Sequence, residues 1–420
     1  VSFCSVLATV SVLFLWLRGL FGRRAGLVAA AAFAVGSCAQ AQGVQGRGYS
    51  LSMLLFLLAL VASFHVVRGV RERGHARGRW LALWAVAIAL GVYDIPSNIY
   101  WVLALYVGAA LQLRRSLRGE LRYLAASLLG GLLAVALYVP IWLTTAAEAG
   151  FGGNVFGALA YGVRAMLSSQ YIQGITRDAF LGGFGAWLGE VGNEVVYGAG
   201  VWALVGMVGL VVGAVVLSRR AAEEGSSRLT SLAGLLVSSL LGAVVLATLL
   251  CSLPFSRVFT YLGVTMAVAL ALFLHALGEA TCSTCPRALP AAAGLAACLL
   301  LGSFFSYQAT GFFTPTGSER SLEYIFEVIL AGRQTDRILL ADACASCHCY
   351  YNWGVSRDTA NTESEPLELA ILENNQLVVG QADKKWSNFY LHDELPWDVL
   401  DNEMSMIYRD AEYAVYARNH

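Results

Sequence analysis

Ten predominantly apolar stretches, most of them close to the length a helix needs to cross a bilayer, fill the first three quarters of the chain. They are Val1–Trp16, Ala25–Gln40, Tyr49–Val67, Trp80–Tyr93, Ile99–Leu113, Leu121–Leu143, Gly198–Leu217, Leu229–Cys251, Val258–Leu277 and Ala288–Phe305. A spanning helix takes about 20 residues. The fourth and fifth stretches are short and also read as one re-entrant pair around Ile95-Pro96-Ser97. One long connection, Thr144–Tyr197, carries no such run. Within it, Ala158–Phe180 spaces its apolar residues at helical intervals and predicts an amphipathic helix lying on the membrane surface, with a Gly-rich loop as the alternative.

From Thr316 the pattern changes. Ser318–Ala331 places Leu322, Ile325, Phe326, Ile329 and Leu330 on one helical face. Arg337–Ala341 reads as a short buried strand, and Cys349–Trp353 as the start of a helix. Glu368–Ile371 and Gln376–Val379 flank an Asn374-Asn375 turn, and Tyr413–Tyr416 is a terminal strand. The expected fold is an all-α polytopic membrane bundle over residues 1–306, with a long outer loop at 144–197. A soluble α/β domain follows over 307–420.

Composition and charge sharpen this division. The chain is 57% hydrophobic and 13% charged, about half the charge density of an ordinary globular protein. Its net charge of zero conceals two opposed halves. Residues 1–306 hold 20 arginines against 10 acidic residues, whereas 307–420 hold 8 basic against 18 acidic. An acidic tail of this kind argues against a nucleic-acid partner, which requires a basic face. The arginines also alternate along the chain. Sixteen lie in one set of connections: Arg18, Arg23 and Arg24, then Arg68–Arg79, Arg114–Arg122, Arg219–Arg228 and Arg287. The other set holds only Arg47, Arg164, Arg177 and Arg257. The positive-inside rule puts the first set in the cytoplasm and the acidic domain on the outer face. Val1 then lies outside, in a hydrophobic run with no basic flank. The expectation is a native start upstream of Val1, with a first helix before it.

Single residues offer weaker signals. Arg47, in Gly46-Arg47-Gly48-Tyr49-Ser50, and Arg257, in Leu253-Pro254-Phe255-Ser256-Arg257, are isolated cations on the Arg-poor face. Each suits either an anionic lipid head group or simple anchoring of a helix end. Asp94 sits between two spans, where an ionisable residue is either functional or a turn residue bonded to Ser97 or Asn98. Cys344-Ala345-Ser346-Cys347-His348 matches the c-type haem attachment pattern, but a disulfide or free thiols account for it better. Cys282 and Cys285 form a second CxxC on the opposite side of the membrane, so the four cysteines do not make one zinc site. Transport or flipping of a lipid-linked substrate is the second class of function, and an anchored c-type cytochrome the third. The inverted repeat that transporters tend to show is not visible.

Taken in order, several motifs resemble bacterial membrane glycosyltransferases of the GT-C class, relatives of the dolichyl-phosphate-mannose protein mannosyltransferases and the lipid A aminoarabinose transferases. The carriers are Leu20-Phe21-Gly22-Arg23-Arg24-Ala25-Gly26, Arg47-Gly48-Tyr49-Ser50-Leu51, Tyr93–Tyr100 and Pro254–Leu262. The resemblance implies a multi-pass protein of the bacterial cytoplasmic membrane that builds cell envelope. It would move a sugar from a polyprenyl-phosphate donor to a lipid, glycan or protein acceptor at the outer face, in contact with membrane lipid. Arg47, Tyr49 and Arg257 would hold the donor phosphate. No resident cofactor or metal is called for, a divalent cation being the one possible addition. The catalytic base would lie upstream of Val1, with Asp94 the weak candidate within the chain. Two departures stand out: Gly46 replaces an acidic residue of the family pattern, and Asp94-Ile95 replaces its Thr or His before proline.

Overall fold

The computed structural model describes residues 2–44, 48–148, 154–167, 176–221, 223–281, 287–312, 317–330, 338–340, 377–381, 397–411 and 413–418. The chain forms two compact units, Val1–Gly311 and Phe312–His420.

The first unit is helical throughout its regular structure. Its helices are α1 (Ser2–Phe21), α2 (Arg23–Val35), α3 (Ser37–Val44), α4 (Tyr49–Arg73), α5 (Gly78–Asp94), α6 (Ile99–Leu113), α7 (Leu117–Glu148), α8 (Val155–Leu167), α9 (Arg177–Val195), α10 (Val201–Ala221), α11 (Glu223–Leu249), α12 (Leu262–Thr281) and α13 (Ala288–Ser306). Short 3-10 turns over Pro96–Asn98 and Ser256–Phe259 join α5 to α6 and α11 to α12. Among the described residues seven helical segments are long and apolar enough to cross a membrane, and an eighth is added if the α2–α3 pair, bent by 57°, is one span. The bend falls at Gly36, whose extended backbone (φ −65°, ψ 136°) interrupts the helix. With 17 and 15 residues, α5 and α6 rise about 26 and 22 Å, short of the ~30 Å hydrocarbon layer.

Helices α4 and α12 are largely buried and form the centre of the bundle. By contrast, α13 buries no residue and exposes Leu295, Leu299 and Phe305. A helix apolar on every side and still exposed is suited to lipid. The Gly-rich stretch after Phe180, expected to be loop, is instead the helix α9. Its five glycines weaken helix propensity, but Trp187, Val191 and Val195 pack into the core and outweigh that cost. The expected surface helix over Ala158–Phe180 appears as the end parts of two helices, α8 and α9, and its middle lies outside the described residues.

Polar contacts define the two ends of the bundle. At the Arg-rich end, Arg71 of α4 donates to Ser231 Oγ at 2.7 Å and Gln112 of α6 to the Ser231 carbonyl at 3.1 Å. Here α4 stops at Gly74, which adopts a left-handed φ of 74° and donates to Val70. At the other end, Asp94 of α5 lies against Gly48 at the start of α4. Thus α5 returns the full way from the Arg-rich end to the start of α4.

Helix α7 lies close against α5. A Cβ on Gly130 would stand 2.7 Å from the Ala85 carbonyl oxygen and 2.9 Å from Ile88 Cβ. Trp84 stacks on Tyr123 and bonds Ser127 Oγ at 2.8 Å across the same seam. Gly130→Val should destabilise the bundle by roughly 1–3 kcal/mol. It will be seen as a lower unfolding midpoint in detergent, while Gly131→Val, whose added Cβ meets open space, leaves the midpoint near wild type.

Among the described residues the second unit is a four-stranded mixed sheet packed on a helix. The strands are β1 (Ile338–Leu340), β2 (Leu377–Gln381), β3 (Met404–Arg409) and β4 (Tyr413–Arg418), in the order β1-β2-β4-β3. β1 and β2 are parallel, with Ile338 opposite Leu377, and the remaining pairs are antiparallel. Helix α14 (Gly317–Tyr324) continues as a π-helical turn over Ile325–Ile329 and lays Leu322, Ile325, Phe326 and Leu330 on Val379, Tyr413 and Val415. A short helix, α15 (Trp397–Glu403), leads into β3. At the β3–β4 hairpin, Asp410 accepts from Ser321, from Tyr408 (3.0 Å) and from the Tyr413 amide (2.8 Å). Neither β3 nor α15 is signalled by alternation in the sequence. The motif Cys344–His348, the Cys282/Cys285 pair and the expected elements at Cys349–Trp353, Glu368–Ile371 and Asn374-Asn375 lie outside the described residues.

Candidate functional site

The Arg-poor end of the bundle gathers most of the polar groups the sequence singles out, because three chain breaks meet there. The first is the bend after Gly36. It directs α3 across the bundle, so that Cys38 donates to the Thr260 carbonyl at 3.1 Å and touches Met53 Sδ at 3.3 Å. A Cβ on Gly263 would stand 3.1 Å from Cys38 Cβ, so the close approach needs that glycine. Ser37 Oγ accepts from the Tyr197 amide at 3.2 Å.

The second break is Asp94-Ile95-Pro96. Proline cannot continue α5, and the chain reverses through the 3-10 turn. Asn98 then pins the reversal. Its amide donates to the Gly91 carbonyl at 2.8 Å, and its carbonyl oxygen accepts from Ser52 Oγ of α4 at 2.7 Å. Asn98 therefore holds α4 and α5, and does not serve as a turn partner of Asp94. The Asp94 carboxylate lies against Gly48, where a Cβ would overlap it. It is half-buried at the end of α5, just past the apolar run. Burial raises it from the ordinary carboxylate range to about 6. Its Oδ2 has no hydrogen-bond partner among the described residues. A half-buried carboxylate with a free oxygen and such a titration point suits a general base.

The third break is Leu253–Phe259. Trp187 of α9 donates to the Pro254 carbonyl at 2.7 Å, and its ring meets Phe259 edge-on, which in turn meets Tyr100. This anchoring leaves Arg257 exposed on the turn. Beside it, the half-buried Glu194 accepts from Ser256 Oγ at 3.2 Å. Burial raises Glu194 above the ordinary carboxylate range, and the Ser256 bond and the Arg257 charge offset part of that rise.

No family model matches the chain, and no curated protein is significantly similar to it.

Of the residues singled out in the sequence, Asp94 lies against Gly48, the residue before Tyr49, at the start of α4. Tyr49 is its first residue and half-buried. Arg257 stands on the same end of the bundle, beside Glu194. Arg47 lies outside the described residues. Among the other carboxylates of the Arg-poor connections, Asp178 and Glu190 are exposed. Glu194 is an outer carboxylate to which the sequence assigns no role: an acid in a Gly-rich stretch carries no pattern, and the packing of α9 against the Ser256–Phe259 turn gives it partners. Among the described residues no three His, Cys, Asp or Glu side chains gather as metal ligands would.

Proposed function

We propose that the helical unit is a glycosyltransferase of the GT-C class, moving a sugar from a polyprenyl-phosphate donor to an acceptor hydroxyl at the outer membrane face. The observation that carries this reading is Asp94: a half-buried carboxylate with an unpaired oxygen, set against the first turn of α4 at the end of the bundle that also bears Arg257. Asp94 takes the proton from the acceptor hydroxyl as its oxygen attacks the anomeric carbon. The bond from that carbon to the phosphate oxygen breaks, and polyprenyl phosphate leaves with one more negative charge. Arg257, with the Tyr49 hydroxyl, stabilises that charge. The reading takes all ten apolar stretches as crossings of the bacterial cytoplasmic membrane. The return of α5 from the Arg-rich end to Gly48 supports counting it as one of them. The Arg-rich connections are then cytoplasmic and the second unit is outside.

The test uses the whole chain in nanodiscs and in intact cells. Supplied with polyprenyl-phosphate hexoses and pentoses and an envelope extract as acceptor, the protein is expected to release polyprenyl phosphate and glycosylate the extract. Cysteine introduced at Glu403 should be labelled from outside, and one at Arg77 should not. Donor crossing a bilayer with its sugar intact would make the protein a transporter. Absence of donor binding would end the reading altogether.

A further inference from the structure

Three side chains near the Arg-poor end are almost fully enclosed and carry oxygens with no partner among the described residues. They are Gln42 Oε1 (2% exposed), Ser50 Oγ (1%) and Thr260 Oγ1 (1%). A buried polar atom left unpaired is costly, and native proteins rarely accept several together. Their positions in the fold are linked through Cys38. Cys38, Met53 and Thr260 meet through the two contacts of the Cys38 thiol. Gln42 follows Cys38 by four residues on α3, and Ser50 precedes Met53 by three on α4, so each lies one turn along the same helix face. Ser50 stands two residues past Gly48, against which the Asp94 carboxylate lies.

We infer that Gln42, Ser50 and Thr260 form the subsite that receives the hydroxyls of the donor's sugar, which rests on the transfer reading above. The chemistry of the group distinguishes a sugar from a phosphate. Gln42 Oε1 and Asp94 Oδ2 are acceptors, and the carboxylate repels an anion. Two hydroxyls and an amide both give and accept hydrogen bonds, as a polyhydroxylated ring requires. The phosphate is left to Arg257. A sugar held against the start of α4 would present its anomeric carbon near Asp94, as the reaction needs.

The test compares two probes on the full chain in nanodiscs, a polyprenyl phosphate and the same lipid carrying a hexose. Ser50→Ala and Thr260→Val remove one hydroxyl each with almost no change of volume, and Gln42→Leu removes the amide. Each is expected to weaken the sugar-bearing probe by roughly 5- to 20-fold, the effect of one hydrogen bond, and to leave the sugar-free probe unchanged. Equal loss on both probes would make the group a phosphate site and overturn the inference. No change on either probe, with raised thermal stability, would mean that the three groups hold buried water only. If wild type binds neither probe, the transfer reading itself fails, and this outcome is separate from the other two.

Discussion

Asp94→Asn is expected to lower the rate of sugar transfer by roughly 10²–10⁴-fold, the usual contribution of a general base, while donor affinity stays near wild type. Asparagine keeps the shape of the side chain beside Gly48, where a carboxylate is already accommodated without room for a Cβ. It keeps an acceptor oxygen but takes no proton. The fall should therefore appear in kcat at saturating donor. A similar fall in affinity alone would make Asp94 a binding group and return the search for the base to residues elsewhere.

The same carboxylate gives two pH signatures of opposite sense. Transfer needs the deprotonated form, so activity should rise with pH and reach half its plateau near 6, the value to which burial pushes Asp94. Stability runs the other way. An unfolded aspartate releases its proton near 3.9, so between about 4 and 6 the folded chain binds more protons than the unfolded one. Stability then falls as pH rises through that window, and the whole penalty is present above it. Asp94→Asn removes the penalty. At pH 7.5 the variant should unfold later than wild type, by at most about 1 kcal/mol because solvent screens a half-exposed group. Near pH 4 the two should coincide. A variant that is slower yet more stable is the mark of a strained functional residue; one that is less stable at pH 7.5 would show the carboxylate to be structural.

How far the sequence foretells this arrangement depends on which residues speak through period and which through tertiary contact. The ten apolar stretches fall on helices because lipid-length apolar runs have few other solutions. The two ends of the bundle are legible in the alternation of arginines, and Asp94 in the Pro96 that follows it. The bend at Gly36 is not legible: Ala25–Gln40 reads as one continuous run, and glycine in an apolar helix is common. Without the bend, Cys38 would not reach Thr260, and the grouping of Gln42 with Ser50 would not arise. Glu194 is hidden for the same reason. Its stretch is too rich in glycine to predict a helix, and Trp187, bonded to Pro254 some 67 residues away in sequence, supplies the anchoring that propensity lacks. In the second unit β4 shows as a dense apolar run, whereas β3 mixes charge and sulfur, with an irregular register between Met406 and Tyr408, and breaks the alternation that would reveal it.

Arg257 and Glu194 should move donor affinity in opposite directions. Arg257 is exposed on a turn whose backbone is anchored by Trp187 and Phe259. Arg257→Ala should weaken binding of a polyprenyl-phosphate sugar by about 1.5–3 kcal/mol, the scale of a charge-assisted hydrogen bond, or roughly 10- to 150-fold. Arg257→Lys should restore only part, because a point charge replaces a planar fork. Glu194 sets its own negative charge in the field of that arginine and against any arriving phosphate. Glu194→Gln retains an acceptor for Ser256 Oγ and removes the charge, so donor should bind about 2- to 5-fold more tightly, the modest scale of a partly screened pair. The raised titration of Glu194 adds a check. As pH falls through its protonation, wild type acquires the neutral form and its affinity should approach that of the glutamine variant, with high salt narrowing the gap in the same way. Donor affinity measured for the four proteins across pH separates the alternatives. If Glu194→Gln weakens binding as Arg257→Ala does, the carboxylate serves to hold the turn in shape. If Arg257→Ala changes nothing, the arginine only anchors the helix end, and the phosphate must be met elsewhere.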